Sequence, residues 1–231
     1  MPIIKTEAFV LKSFKYGETS KIVTLFTKDF GKISAILKGA RNYRSRSCGV
    51  LETMNYINSV IYYKENKDIH MLSTAEYIRS FPEILRNYEK LQTSYRIIEI
   101  INKSLFENEV NKSVFDLLIR TYERLNNCDN DLEFNILFFQ IELIKIMGLG
   151  PDLSKSNETF LDFIELPLDK NQKTLLGIFI KHNFEELINM DIEKEDVNRL
   201  IESYERFLLS HTNGSKFYTT KKIMLELNKF I

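Results

Sequence analysis

The hydrophobic period of this chain changes near residue 80, and that change restricts it to an architecture in two parts. Before it, short runs rich in β-branched and aromatic residues follow one another: Glu7–Lys12, Lys21–Thr27, Ile33–Leu37, Met54–Tyr63 with two-residue alternation, and Ile69–Thr74. Between them stand turn-forming stretches, Tyr16-Gly17-Glu18, Asp29-Phe30-Gly31 and Glu65-Asn66-Lys67-Asp68. Five short strands joined by such turns suit a small closed barrel.

From Phe81 onward the spacing is helical. Pro82 can open a helix at its first turn, and Ile84, Leu85, Tyr88, Leu91, Tyr95, Ile98, Ile101 and Leu105 then recur at steps of three and four. Ser113–Leu125 and Leu132–Met147 repeat the pattern, until Gly148 and Gly150 stop the helix with Pro151 just beyond. Phe134, Leu137, Phe138, Ile141, Leu143 and Ile144 cover most sides of one helix, which places that helix centrally in a core. After a polar stretch to Pro167, helices are expected over Gln172–Lys181, Glu195–Leu209 and Lys221–Phe230. The expected class is therefore α+β. A five-stranded barrel of OB-fold type fills residues 1–80 and an all-α domain fills residues 81–231.

Charge divides the chain in the same way. The total is zero, yet residues 1–50 hold ten Lys/Arg against three Asp/Glu, and residues 81–231 hold nineteen against twenty-five. The first part thus carries +7 and the helical part −6, the signature of a polyanion-binding module on a more acidic body. The positive charge concentrates in Gly31–Arg46, where Lys38, Arg41, Arg44 and Arg46 alternate with Gly39, Asn42, Ser45 and Ser47. That is loop composition, so the cations face solvent. Phosphates neutralised by such groups release counterions, which gives salt-sensitive affinity without sequence preference. Tyr43 lies within the cluster and can stack on an unpaired base. A solvated loop explains the charge in isolation; on a barrel, the concentration points to nucleic acid.

Catalytic chemistry finds no footing. There is neither GxxxxGK[ST] nor GxGxxG, and the paired acids Glu185-Glu186 and Glu193/Glu195/Asp196 read as solvated helix faces. Cys48 and Cys128 stand eighty residues apart, and His70, His182 and His211 are scattered, so no metal-ligand spacing appears. No apolar run approaches the ~20 residues that span a bilayer, and the first residues lack a signal-peptide core, which points to the cytoplasm. Arg120 and Arg124, one turn apart, can meet a carboxylate of a partner, although each singly is explained more simply by a solvated face.

Several segments together resemble the RecO family of DNA repair proteins. They are Glu7–Leu11, Tyr16-Gly17-Glu18 with Thr24-Leu25-Phe26-Thr27 five residues on, Phe30-Gly31-Lys32-Ile33-Ser34, and Lys38-Gly39-Ala40-Arg41 running to Ser45-Arg46. Met147-Gly148-Leu149-Gly150-Pro151-Asp152-Leu153 looks like that family's junction after its central helices, and His211 also fits. The resemblance implies a non-enzymatic recombination mediator with an OB barrel and a helical domain. Such a protein binds single- and double-stranded DNA and anneals complementary strands. It works with RecR and often RecF, and helps load RecA onto strands coated by single-strand-binding protein, whose acidic tail docks on the helical part. Its setting is the cytoplasm, on the nucleoid. Carried over, the phosphate contacts are Lys32, Lys38, Arg41, Arg44 and Arg46.

One departure stands out. Many relatives place four cysteines of a zinc site after the junction, whereas Asp152–Phe160 here has none. Ser and Asn do not replace thiolates, so no structural zinc and no other cofactor is expected, and packing by Phe160, Phe163 and Ile164 takes its place. Two other readings of the barrel remain open: a protein-interaction adaptor, and an RNA-binding module.

Overall fold

The structure, a computed structural model, describes residues 2–41, 49–65, 67–129, 131–149, 169–187 and 189–211. The strands are β1 (Ile3–Tyr16), β2 (Ser20–Thr27), β3 (Gly31–Leu37), β4 (Tyr56–Tyr62) and β5 (Ile69–Arg79). They close into a barrel in the order β1-β2-β3-β5-β4, the expected OB-fold. Every pairing is antiparallel except β3 with β5, which is parallel and joins only Ser34 to Ile69, Ala35 to His70 and Ile36 to Met71.

Strand alternation sorts the side chains. Val23 and Leu25 of β2, Ile33, Ala35 and Leu37 of β3, and Ile57 and Ile61 of β4 fill the interior with Ala8 and Val10 of β1. Within β1 the register passes from Val10 opposite Leu25 to Lys12 opposite Thr24, so Leu11 is an extra residue. Beyond that bulge the parity inverts. Ser13 now stands opposite the interior Val23, and Lys12, Phe14 and Tyr16 face out.

The expected boundary near residue 80 is where the last strand ends, but the barrel unit does not end there. One compact unit comprises Met1–Pro82 with Leu105–Ile119, the other Glu83–Ser104 with Arg120–Ile231. By compactness, residues 105–119 thus group with the barrel strands. The physical reason is the outer face of the barrel, where Phe26 needs cover. Phe115 supplies it, with ring centroids 5.6 Å from Phe26 and 6.0 Å from Tyr56. Glu107 bridges to Lys32 in parallel, the Asn108 N–H donates to the Lys32 carbonyl at 2.9 Å, and Lys112 pairs with Asp29 at 3.0 Å.

That return depends on Gly31. Its φ is +68°, and a Cβ there would lie 2.3 Å from the Glu109 carbonyl oxygen. No side chain fits.

In the helical unit, α1 (Pro82–Arg86) and α2 (Tyr88–Ser104) replace the single helix expected after Pro82. Asn87 separates them, because its Oδ1 accepts the Lys90 N–H at 3.1 Å as a helix cap does. α3 (Lys112–Asn127) contributes to both units, and α4 (Leu132–Ile146), α5 (Lys170–Lys181), α6 (Phe184–Leu187) and α7 (Lys194–His211) follow. α4 is buried on nearly every side, as its composition predicts, and packs with α2 and α7. Edge-on ring contacts join Phe134 to Phe179 at 5.5 Å and Phe138 to Phe184 at 5.8 Å. A capping box starts α5, with Asp169 and Gln172 each accepting the other's backbone N–H. The expected helix Lys221–Phe230 and the cysteine-free stretch with Phe160, Phe163 and Ile164 lie outside the described residues.

Two tests follow from this architecture. Gly31→Ala should lower the urea midpoint far more than Gly39→Ala. Both have positive φ, worth about 1–3 kcal/mol when a side chain is forced there, but only Gly31 adds a backbone collision, since Gly39 faces open space. His70 provides the second. It is buried in β5, stacks on Tyr63 at 4.3 Å, and its Nδ1 accepts the Lys64 N–H at 3.3 Å. Burial pushes the imidazole pKa below its ordinary value. The neutral form is thus favoured in the fold, so its contribution is complete above about pH 6.5. It is lost as pH falls through the depressed folded value. Urea titrations across that window should show stability falling with acid in the parent and a flatter profile in His70→Phe.

Candidate nucleic-acid interface

The basic segment begins as a fixed structure. After β3 the Arg41 N–H donates to the Thr19 carbonyl at 2.8 Å, and its guanidinium donates to the Gly17 carbonyl at 2.9 Å. Both acceptors belong to the turn between β1 and β2, where Gly17 has φ +55°. The root of the basic segment is therefore stitched to the tip of the first hairpin. Lys15 pairs with Lys21, and Lys21 with Leu37, so the exposed Lys38 emerges at the same end. Lys15 is exposed there as well, while Lys21 is held by Glu52 and the exposed Lys12 lies farther along β1, opposite Thr24.

Of the residues expected to bind phosphate, the structure brings Lys38 and Arg41 together at this end. Tyr43, Arg44 and Arg46 lie outside the described residues. Lys32 is the departure. Only 7% exposed, its ammonium donates to the Leu105 carbonyl at 2.6 Å and lies 3.6 Å from a Glu107 oxygen. Burial pushes its pKa down, with Glu107 opposing the shift. Lys32 holds the returning segment against β3 and presents no charge to a ligand.

The sheet also carries a feature that charge counting missed. Register aligns Phe14 with Ile22, Ile22 with Ile36, and Ile36 with Met71, so one apolar row crosses β1, β2, β3 and β5. All stand at outward positions. Phe14 is 55% exposed and Met71 43%, with Ile22 and Ile36 half-buried. The next row runs Lys12, Thr24, Ser34, Ile69. The strand faces of an OB-fold and the loop joining its first two strands commonly receive oligonucleotides. A signal was present: Ile33–Leu37 is apolar at both parities apart from Ser34, which a strand with one solvated face does not need.

In the helical unit Arg120 is exposed, but Arg124 is not on a solvated face. Its guanidinium carbon lies 4.0 Å from the Phe184 ring centre and 4.8 Å from that of Phe138, and Nε donates to Asn135 Oδ1 at 2.8 Å. Burial draws its pKa down to about 10, which leaves it charged at neutral pH. Cation–π contact with both rings and the bond to Asn135 fix the plane of its guanidinium. Among the described residues, no cluster of three or more His, Cys, Asp or Glu is placed to hold a metal ion, and no helix is long and apolar enough to cross a membrane.

Comparison with known proteins adds a consistent result. The family model for Recombination protein O N terminal matches residues 1–81, and that for Recombination protein O C terminal matches residues 85–163. A DNA repair protein RecO from Chlorobium limicola is 37% identical over 153 residues, covering 66% of this chain and 59% of that protein. RecO from Salinibacter ruber is 32% identical over 154 residues, covering 67% and 59%. RecO from Chloroherpeton thalassium is 30% identical over 175 residues, covering 75% and 67%. The matched part of the chain thus spans about three-fifths of the length of the first two relatives.

The two lysines of this region separate cleanly by experiment. Lys32→Met should destabilise the protein by about 1–3 kcal/mol, because the Leu105 carbonyl loses its donor inside the fold. Lys38→Ala, at an exposed position, should leave the denaturation midpoint unchanged within ~0.5 kcal/mol.

Proposed function

This chain belongs to the RecO family of DNA repair proteins, and on that premise we propose that it is a recombination mediator rather than an enzyme. It binds single- and double-stranded DNA, anneals complementary strands, and helps load RecA, with RecR and often RecF, onto strands coated by single-strand-binding protein. Its place of action is the nucleoid, in the cytoplasm.

The observation that carries this reading is the stitching of the basic segment to the first hairpin, which sets Lys38 and Arg41 with Lys15 at one end of the barrel. Arg44 and Arg46 follow in sequence and extend the same charge, and Tyr43 adds a ring for stacking. Two DNA strands repel chiefly through their phosphates. A surface that neutralises several of them at once lets the strands approach while their bases remain available for pairing. The helical unit supplies the recruiting contact: Arg124 between Phe138 and Phe184, with exposed Arg120 a turn away, suits the acidic tail of single-strand-binding protein.

Fluorescence annealing of complementary oligonucleotides over a salt series tests the proposal. The protein should accelerate annealing at low salt and lose the effect as salt rises. Replacing Lys38, Arg41, Arg44 and Arg46 with Ala should abolish acceleration. It should also lower the slope of log affinity against log salt by roughly 0.7 for each single-strand phosphate that is no longer neutralised. A folded protein that neither binds nor anneals DNA would make the barrel a protein-binding adaptor instead.

A further inference from the structure

We infer that a charged cleft in the helical unit receives the basic hairpin end of a second copy of this chain, with Lys38 as the side chain that enters it. The inference goes beyond the DNA-binding reading and does not depend on it. The cleft, about 400 Å³ in volume, lies among the N-terminal ends of α2, α4 and α7. Glu89, Asp129, Asp131 and Glu133 line it against two cations, Arg96 and Lys194. Those cations do not balance it. Arg96 Nε donates to Glu205 at 2.5 Å, and Lys194 stands 3.8 Å from Asp131 and 4.0 Å from Glu133. The buried Lys90 takes Asp129 at 2.9 Å, but Glu89 has no ion pair with a described residue. Thr93 is an independent pointer to a donor. It lines the cleft, is only 7% exposed, and its hydroxyl makes no hydrogen bond to a described residue. A buried polar group without a partner is costly, and an ammonium, which only donates, suits a hydroxyl beside carboxylates.

The chain itself offers such an ammonium on a flexible stem. Residues 1–50 carry +7 and residues 81–231 carry −6, so two copies attract each other most strongly basic end to helical unit. At the hairpin end Lys15 lies within β1 and Arg41 is held by the Gly17 carbonyl. Lys38 stands just past the end of β3, exposed, and has no ion pair with a described residue. A contact of this kind joins two unlike surfaces. Each copy then keeps one open cleft and one open basic end, so association runs head to tail and does not close as a symmetric dimer. In the function proposed above the same lysine faces phosphate, so DNA and the second copy compete for it.

Sedimentation velocity of the full chain over a concentration series is the test. At low salt the parent should sediment faster as concentration rises, without a plateau at the dimer, and should return to monomer in roughly 0.5 M salt. Lys38→Glu alone, and Glu89→Lys combined with Glu133→Lys, should each remain monomeric with folding certified by urea denaturation. An equimolar mixture of these two proteins should form dimers and stop there, because each keeps the half that the other has lost. Thr93→Val should weaken association roughly 2- to 10-fold without lowering the urea midpoint, since the hydroxyl has no described partner inside the fold. Oligothymidylate bound to the parent should return it to monomer. A parent that is monomeric at every concentration, a closed dimer, or a mixture of variants that stays monomeric would overturn the inference. Association that persists with DNA bound would overturn the assignment of the Lys38 end. A parent that associates as described but binds no DNA would uphold the inference and overturn the DNA reading alone.

Discussion

The single extra residue at Leu11 governs what the barrel can offer a ligand. Ahead of it, Phe9 points outward opposite Phe26, into the region that Phe115 roofs. Past it, the shift in parity presents Lys12, Phe14 and Tyr16 to solvent on the same outer face. A strand without the bulge would turn Phe14 inward and set Ser13 outward, since one residue of slip exchanges the faces of a strand. Leu11 is itself buried, so the insertion is anchored by packing. The outer face is consequently divided lengthwise, roofed at one end and open at the other.

The roofed end explains why a lysine in a basic motif carries no ligand. Lys32 stands opposite Phe26 in the register, on the outer face but under the returning segment. Its ammonium is consumed by a carbonyl and a carboxylate of that segment. Asp29 and Glu7 act at the same rim. The hydrogen bond from Lys112 and that from Tyr56, respectively, are the main causes holding these carboxyls below their usual range. Charge near the β2–β3 turn thus serves cohesion. Near the β1–β2 turn Glu52 takes Lys21, while Lys15 and Lys38 are left exposed.

Much of this organisation was legible in the residues, and what escaped has physical reasons. Alternation and turn residues located all five strands, because each is a local property. The central helix announced itself by lacking a polar side, and α4 is buried accordingly. The membership of residues 105–119 in the barrel unit was invisible, since it rests on contacts such as Lys32 with Leu105, 73 residues apart. The break at Asn87 was readable only by weighing a cap against an unbroken apolar period. In the site, Lys38 and Arg41 were found by charge, whereas Phe14 and Met71 required a register that the bulge conceals. Arg124 looked solvated because its ring partners, Phe138 and Phe184, come from other helices.

The return of residues 105–119 also bears on how the protein is made. Chain synthesis proceeds from the first residue, and five strands emerge before the segment that roofs them. Phe26 and the socket of Lys32 must therefore wait, unsealed, until α2 has left the ribosome as well. Closing contacts over such a separation carries an entropic penalty and slows folding. During translation the nascent barrel is an incomplete vessel with an aromatic face bare to solvent, and its completion is timed by the arrival of Phe115.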